Sequence, residues 1–180
     1  MGRQKALSKL SSHSVDQFLE KLGSSDSVPG GGAAAALVLA QAAALGEMVA
    51  RINLRRTEKQ GSKNSPSSKN ISILQGLRKK FLVLLEEDAK AFLALSKFKK
   101  EERHKAAYQK ALRKAAGVPD HMSVLAKKAS AVVLSEKSRT SAWLLSDLEE
   151  SLILFEAGRK AARLNVEINL ASMKIKKKRS

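Results

Sequence analysis

Two aspartates occupy positions at which a carboxyl group could do acid/base chemistry. Asp88 interrupts a stripe of apolar residues that recur at helical spacing between Leu74 and Leu95. Burying a carboxylate is costly, so an acid on such a stripe has either a partner or a chemical function. Asp147 follows Ser146 in the pattern Ser-Asp-Leu-Glu, a capping box that predicts both residues at the start of a helix. The helix dipole would stabilise an anion there, so Asp147 could serve catalysis or only the cap.

A run of glycines provides a second candidate site. Gly30, Gly31 and Gly32 follow Pro29 and lead directly into an Ala-rich segment. Glycine lets a ligand approach the main chain closely, and the first turn of a helix has backbone N–H groups without partners. The pattern predicts either a cradle for an anion or carbonyl group, or a tight entry turn into a buried helix.

Three other polar residues fall on predicted helices. Asn165 and Asn169 are one helical turn apart, so both amides lie on one face, where they could bind a substrate or tie helices together. Glu47 interrupts an apolar helix and is a candidate buried acid, although a salt bridge or a surface position is the more common outcome.

Helical periodicity runs through most of the chain. Apolar spacing and capping patterns predict helices over residues 15–22, 33–56, 72–97, 99–116, 119–137 and 146–173. Aromatic residues make up only 4% of the chain and no stretch shows strand-like alternation. We therefore expect an all-α, up-and-down bundle of five to six helices in one domain over residues 14–173. The basic segments 1–13 and 174–180 are expected to be flexible ends, and 57–70 a polar loop.

The apolar run over residues 33–49 is expected to be the central helix of this bundle. A membrane span needs roughly 20 strongly apolar residues, whereas this run is shorter, rich in alanine and interrupted by Glu47. No apolar secretory core follows the basic N-terminus. We therefore expect a cytoplasmic protein without a membrane span.

Composition excludes some chemistry and favours certain partners. The chain has no cysteine, which excludes disulfides, thiolate catalysis and cysteine metal sites, and its three histidines lack metal-ligand spacing. A metal site is therefore not expected. The 34 Lys and Arg residues against 17 Asp and Glu give a formal charge of +17, which favours a polyanionic partner such as nucleic acid, anionic lipid or a polycarboxylate.

Six sequence blocks, in this order and approximate spacing, resemble the cyclodeaminase/cyclohydrolase family of folate enzymes. The blocks are Ser27-Val28-Pro29-Gly30-Gly31-Gly32-Ala33, Met48-Val49-Ala50, Asp88-Ala89-Lys90-Ala91-Phe92, Ala115-Ala116-Gly117-Val118-Pro119, Ser146-Asp147, and Asn165-Val166-Glu167-Ile168-Asn169-Leu170. The resemblance covers residues 14–173. The glycine block alone is a weak signal, but six blocks in the right order are a specific one.

The resemblance implies a dimeric helical bundle that acts on one-carbon tetrahydrofolates without a metal or other cofactor. One reaction of the family closes 5-formiminotetrahydrofolate to 5,10-methenyltetrahydrofolate with loss of ammonia, and the other hydrolyses 5,10-methenyl- to 10-formyltetrahydrofolate. Both need a group that moves protons, and a carboxylate whose pKa is raised by burial could do this. We expect Asp147 to be the principal acid/base group and Asp88 its partner or an orienting group. Substrate contacts are expected from Pro29, Gly30, Gly31, Gly32, Ser146, Asn165 and Asn169.

Two other functions remain open at this point. Where the family usually has a Gly-Asn pair before Ser146, this chain has Ser141-Ala142-Trp143-Leu144-Leu145, which would suit a relative that binds folate or a partner without catalysis. The basic charge also suits a nucleic-acid-binding helical protein, although the chain has no recognised motif and few aromatic residues for base stacking. Within the folate interpretation, the charge would attract a substrate's glutamate tail, including polyglutamylated forms.

Overall fold

In the computed structural model, which describes residues 9–61 and 65–174, the chain folds into five α-helices. They are α1 (Val15–Leu22), α2 (Gly31–Lys59), α3 (Pro66–Ser96), α4 (Ala106–Leu134) and α5 (Leu145–Lys174). Short 3-10 turns occur at Leu10–Ser12, Lys100–Glu102, Lys137–Arg139 and Ala142–Leu144. No strand occurs within the two described ranges, and the predicted all-α fold is confirmed.

The four long helices form an up-and-down bundle. Helix α2 packs between α3 and α5, and α4 packs between the same two helices on the other side. Helices α2 and α5 run in opposite directions, because Asn165 lies beside Gly31 whereas the Ser151 hydroxyl donates to the Ala42 carbonyl at 2.8 Å. We call the end of the bundle that contains Gly31 and Asn165 the glycine end, and the opposite end, which contains Glu136, the glutamate end.

Helix α2 is the central element of the bundle. Its length and hydropathy would suffice for a membrane span, but most of its apolar window is buried inside the protein. Ala36, Ala43 and Ala50 have no exposed surface, which follows from the contacts of α2 with both neighbours. Packing in the bundle therefore accounts for its apolar composition.

The predicted break between two helices at Gly117-Val118-Pro119 is wrong. Helix α4 runs without interruption from Ala106 to Leu134, with Pro119 inside it. Proline lacks the N–H that would bind the carbonyl of Ala115, so it normally ends or kinks a helix. Here the side chains of Val118 and Pro119 are buried, and the amide of Asn169 on α5 donates to the Ala115 carbonyl at 3.1 Å instead. Tertiary contacts thus replace the missing helical hydrogen bond.

Helix starts also differ from the sequence patterns. The capping box at Ser14 is confirmed, with both of its hydrogen bonds formed. The similar pattern at Ser72 lies inside α3, which begins at Pro66 after its N-cap Ser65, so the connecting loop is much shorter than predicted. Ser146 is likewise inside the first turn of α5, because the 3-10 turn Ala142–Leu144 continues directly into that helix.

The packed chain begins before residue 14. Leu10 is 2% exposed, and the backbone N–H of Ser11 donates to a carboxylate oxygen of Glu86 on α3 at 2.7 Å. Residues 1–8 and 175–180, which belong to the segments expected to be flexible, lie outside the described residues.

Candidate active site

A cavity of about 230 Å³ lies at the glycine end of the bundle. All four long helices contribute to its walls, together with the loop before α2. The lining residues are Ser27, Val28, Gly30, Gly31, Gly32, Asp88, Phe92, Ala115, Asn165, Ile168 and Asn169. The structure therefore brings together the glycines, one of the two candidate aspartates and both asparagines. Phe92 was expected on the core stripe of its helix, but it is 46% exposed at this cavity.

Asp88 is the one ionisable residue among these described lining residues. Burial raises the pKa of its carboxyl from 3.8 to about 6, and the backbone N–H of Ala33, which lowers the pKa, offsets only part of this effect. No Lys, Arg or His within residues 9–61 and 65–172 forms an ion pair with it. A carboxyl group with this pKa can both accept and donate a proton near neutral pH.

The glycine loop places backbone, and no side chain, against Asp88. Gly30 is the N-cap of α2 and has no side chain that could cap it. The first N–H groups of the helix, at the glycine end of the bundle, therefore have no partner within the glycine loop. The bond between Val28 and Pro29 is cis, and both side chains are buried. Pro29 does not line the cavity, whereas Gly30 and Gly31 do.

The two asparagines make different contacts. Asn169 donates its amide hydrogen to the carbonyl of Ala115, as described above, and so ties α5 to α4. Asn165 donates to the carbonyl of Ala161 on its own helix at 2.9 Å, and its side-chain amide lies beside Gly31. Each asparagine thus uses its amide N–H as a donor to a backbone carbonyl, and the described hydrogen bonds include no donor to the carbonyl oxygen of either side chain.

Asp147 and Ser146 of this chain do not line its cavity. They are at the start of α5, and the helical rise places Asp147 about 27 Å along the axis from Asn165. Ser146 is exposed. Trp143, which the sequence placed next to these residues, is 67% exposed and does not line the cavity, so its bulk leaves the cavity open. Within one chain, Asp88 and Asp147 do not act on a common group.

A completely buried carboxylate lies at the glutamate end, and no sequence pattern singled it out. Glu136 is completely buried and accepts hydrogen bonds from Asn53 (2.9 Å), Ser67 (2.8 Å) and Asn70 (2.6 Å), with the guanidinium of Arg139 at 3.5 Å. Burial alone would raise the pKa of Glu136, but these hydrogen bonds and the Arg139 charge outweigh it and lower the pKa. The partners come from three separate stretches of chain, so only the fold reveals them.

Glu47, the other buried acid among the described residues, forms ion pairs. Its carboxylate oxygens contact the guanidinium groups of Arg51 at 2.6 Å and Arg78 at 3.2 Å. Burial raises the pKa of Glu47, but the two arginines together lower it by more, so the net pKa is below the ordinary value. The salt-bridge alternative for this residue is therefore the observed one.

Comparison with known proteins agrees with the sequence resemblance. The family model described as formiminotransferase-cyclodeaminase matches residues 14–180. A methenyltetrahydrofolate cyclohydrolase from Methylorubrum extorquens is 30% identical over 165 residues, covering 86% of this chain and 78% of that protein. The crystal structure of formiminotetrahydrofolate cyclodeaminase from Thermotoga maritima superposes with a TM-score of 0.78 at 25% identity, covering 89% of this chain and 79% of that one. This chain belongs to the formiminotransferase-cyclodeaminase family.

Proposed function

We propose that this protein is a one-carbon tetrahydrofolate enzyme of cyclodeaminase or cyclohydrolase type in which Asp88 is the acid/base group. The observation that carries the proposal is the surroundings of Asp88: it lines a cavity, no described cation pairs with it, and its pKa is raised to about 6. General acid/base catalysis is most effective when the pKa of the group lies near the working pH. The names of both relatives supply the substrate class.

In the hydrolytic reaction, one carboxyl group can serve both proton transfers. The oxygen of water bonds to the methenyl carbon and gives a proton to the Asp88 carboxylate. The bond from this carbon to N5 then breaks, Asp88 returns its proton to N5, and the hydroxyl proton leaves to water, which yields 10-formyltetrahydrofolate. The same carboxyl therefore acts first as a base and then as an acid.

The deaminating reaction also uses two proton transfers through Asp88, but between different atoms of the substrate. N10 bonds to the carbon of the protonated formimino group, and the proton of N10 moves to the Asp88 carboxylate. Asp88 passes it to the amino nitrogen, and the bond from carbon to that nitrogen breaks to release ammonia and 5,10-methenyltetrahydrofolate. Neither sequence of steps calls for a metal or another cofactor.

The remaining cavity walls supply polar groups that could orient a folate. The N–H groups of Gly31 and Gly32 at the start of α2 can donate to an oxygen or ring nitrogen of the substrate, whereas the N–H of Ala33 already interacts with Asp88. The carbonyl oxygen of Asn165, which faces Gly31, can accept from a ring N–H or amino group. Asn169 is a helix tie in this proposal, since its amide already donates to Ala115.

The proposal includes a homodimer that completes the pocket. Pockets that enclose a small molecule are usually about 300–1,000 Å³, and the cavity of one chain is about 230 Å³. Large apolar side chains are exposed at and near its mouth, with Ile168 at 66% and Leu164 one turn earlier at 61%. We expect light scattering to show a dimer and Leu164→Glu to shift it toward monomer; a wild-type monomer would contradict this part of the proposal.

The net charge of +17 supports a substrate with an anionic tail. A folate carries at least one glutamate, and exposed Lys and Arg side chains attract such a chain over a distance set by the ionic strength. We therefore expect the KM for a polyglutamylated folate to rise more steeply with salt than the KM for the monoglutamate. Equal salt dependence of the two KM values would contradict a role of the basic surface in binding the glutamate tail.

The decisive test is the absorbance of methenyltetrahydrofolate with each of the two substrates. Its decay measures hydrolysis, and its formation from formiminotetrahydrofolate measures deamination. We expect one of the two reactions, and Asp88→Asn should lower kcat by about 10³-fold because a general acid/base group is removed. Asp147→Asn is the matched control and is expected to keep the activity. Full activity in Asp88→Asn, or loss confined to Asp147→Asn, would reject Asp88 as the acid/base group.

A further inference from the structure

The three glycines before α2 have different surroundings. A Cβ atom added at Gly30 would meet no atom within 4 Å, and one added at Gly31 would make ordinary contacts with the amide of Asn165 at 3.6 and 3.7 Å. A Cβ atom added at Gly32 would overlap the carboxyl carbon and both carboxyl oxygens of Asp88. Gly32 is therefore the only one of the three whose missing side chain leaves space that another residue fills.

Backbone conformation does not explain the glycine at position 32. Among the described residues, positive φ occurs only at Gly61, so the backbone at Gly32 is one that alanine adopts readily. Gly32 also lies within α2, where alanine is the better helix former. The need for glycine here is a need for space next to Asp88.

The carboxyl group that fills this space also serves the helix. Gly30 has no side chain with which to cap α2, and α2 has no acidic residue in its first turn. Asp88 reaches across from α3, and its carboxyl interacts with the backbone N–H of Ala33, a donor for which the helix itself offers no acceptor. Space at Gly32 thus sets the distance between the carboxyl and the start of α2.

We propose that Gly32 is a positioning residue, whose absent side chain forms the socket that holds the carboxyl of Asp88 against the first turn of α2. This inference rests on the proposed function for its catalytic meaning. Sequence pattern alone groups Gly32 with Gly30 and Gly31 as substrate contacts; the geometry gives it a separate task. A side chain at position 32 turns the carboxyl away from Ala33 while the fold remains, because the obstructing atoms are the end of a side chain that can rotate.

The direct test compares Gly32→Ala with Gly31→Ala in the full-length protein by 13C NMR titration of the Asp88 carboxyl. In Gly32→Ala we expect the pKa of Asp88 to rise above the wild-type value, because the carboxylate loses the Ala33 donor. Gly31→Ala should leave this pKa unchanged, since its Cβ makes only ordinary contacts. An unchanged or lowered pKa in Gly32→Ala would overturn the inference.

Activity gives a second readout with its own control. Gly32→Ala should lower kcat by about a hundredfold, the size expected when a reacting group is misplaced by about 1 Å. The midpoint temperature of its thermal unfolding should be no lower than that of the wild type. In an Asp88→Asn background the same substitution should cost nothing further, because it acts through that carboxyl. An equal loss in both backgrounds would overturn the inference.

The two readouts separate this inference from the proposed function. The titration needs no substrate, so it decides the role of Gly32 even in a protein that turns over neither folate. Wild-type inactivity together with the expected rise in pKa would reject the proposed function and keep the socket. An active wild type whose Gly32→Ala variant loses activity without a change in the pKa of Asp88 would keep the proposed function and reject the socket.

Discussion

Asp88 and Glu136 are two buried or partly buried carboxyl groups at opposite ends of one bundle, and their surroundings are opposite. Glu136 accepts hydrogen bonds from Asn53, Ser67 and Asn70 and has a guanidinium nearby, so its pKa is lowered. Asp88 lines a cavity, has a backbone N–H as its described donor, and has a raised pKa of about 6. About 31 Å of α2 separates the Gly32 and Asn53 positions that contact them.

The donors outweigh burial in setting the difference, since the completely buried Glu136 has the lowered pKa and the partly buried Asp88 has the raised one. Both groups are shielded from water, which raises the pKa of a carboxyl in each case. At the glutamate end the donors more than compensate, so the carboxylate stays charged and holds α2, α3 and the start of the link to α5 together. At the glycine end the compensation is incomplete, which leaves a group that can exchange a proton with a bound substrate.

Removing the charge at the glutamate end should have the largest effect on stability. Glu136→Gln places an amide among buried donors that need an acceptor, so we expect a loss of about 3 kcal/mol in the free energy of unfolding. Urea denaturation measures it. Glu149→Gln, at an exposed site with a 3.8 Å ion pair, is the control and should change little. A loss below about 1 kcal/mol for Glu136→Gln would break the comparison, because buried salt-bridged groups usually cost more.

Removing the charge at the glycine end should have the opposite sign. Between pH 3.8 and about 6 the folded protein holds a proton on Asp88 that the unfolded chain has lost, so the contribution of Asp88 to stability falls as the pH rises through this window. Asp88→Asn cannot ionise and should be more stable than the wild type by about 1–2 kcal/mol at pH 7–8, after allowance for solvent screening.

The pH dependence of this difference is the sharper measurement. The two proteins should have similar stability near pH 4 and separate as the pH rises to 7, in unfolding experiments at fixed salt. Taking the difference cancels Glu136 and Glu47, whose lowered pKa values give contributions that are lost below about pH 4.5 in both proteins. A constant difference at all pH values would mean that the pKa of Asp88 is not raised.

The smallest expected effect concerns a neutral residue of the same cavity wall. Asn169→Ala removes the donor to the Ala115 carbonyl and should cost about 1 kcal/mol, the usual value of one hydrogen bond. In a Pro119→Ala background the helix regains its own N–H for that carbonyl, so the cost of Asn169→Ala should approach zero. Equal costs in both backgrounds would show that Asn169 does not replace the bond that Pro119 lacks.

Much of the fold could be predicted from the sequence because its signals are local. Ser14 and Gln17 are three residues apart, so their capping box forms within one turn of chain. One error arose where a distant contact outweighs local preference: Pro119 predicts a helix break, but Asn169 supplies the missing donor from another helix. The error at Ser72 has a different cause, because Ser65 as the N-cap and Pro66 at the first helical position form an earlier local start signal.

The candidate site divides in the same way. The apolar stripe around Asp88 and the spacing of Asn165 and Asn169 were visible in the sequence, since helical periodicity places residues on faces. Their shared cavity, the distance that keeps Asp147 away, and the donors around Glu136 were not visible. Those depend on which helices are neighbours and in which direction they run.

The sequence by itself determined that this protein is helical, that α2 is its apolar centre, and that it carries the blocks of its family. Tertiary structure alone decided which acid lines the cavity, with no described cation paired to it. Asp88, Asp147 and Glu136 have the same carboxyl chemistry, and the charges and donors that shift a pKa act within a few ångströms in space, whatever their separation along the chain. Packing brings three side-chain donors to Glu136 and gives Asp88 the space at Gly32 beside an open cavity.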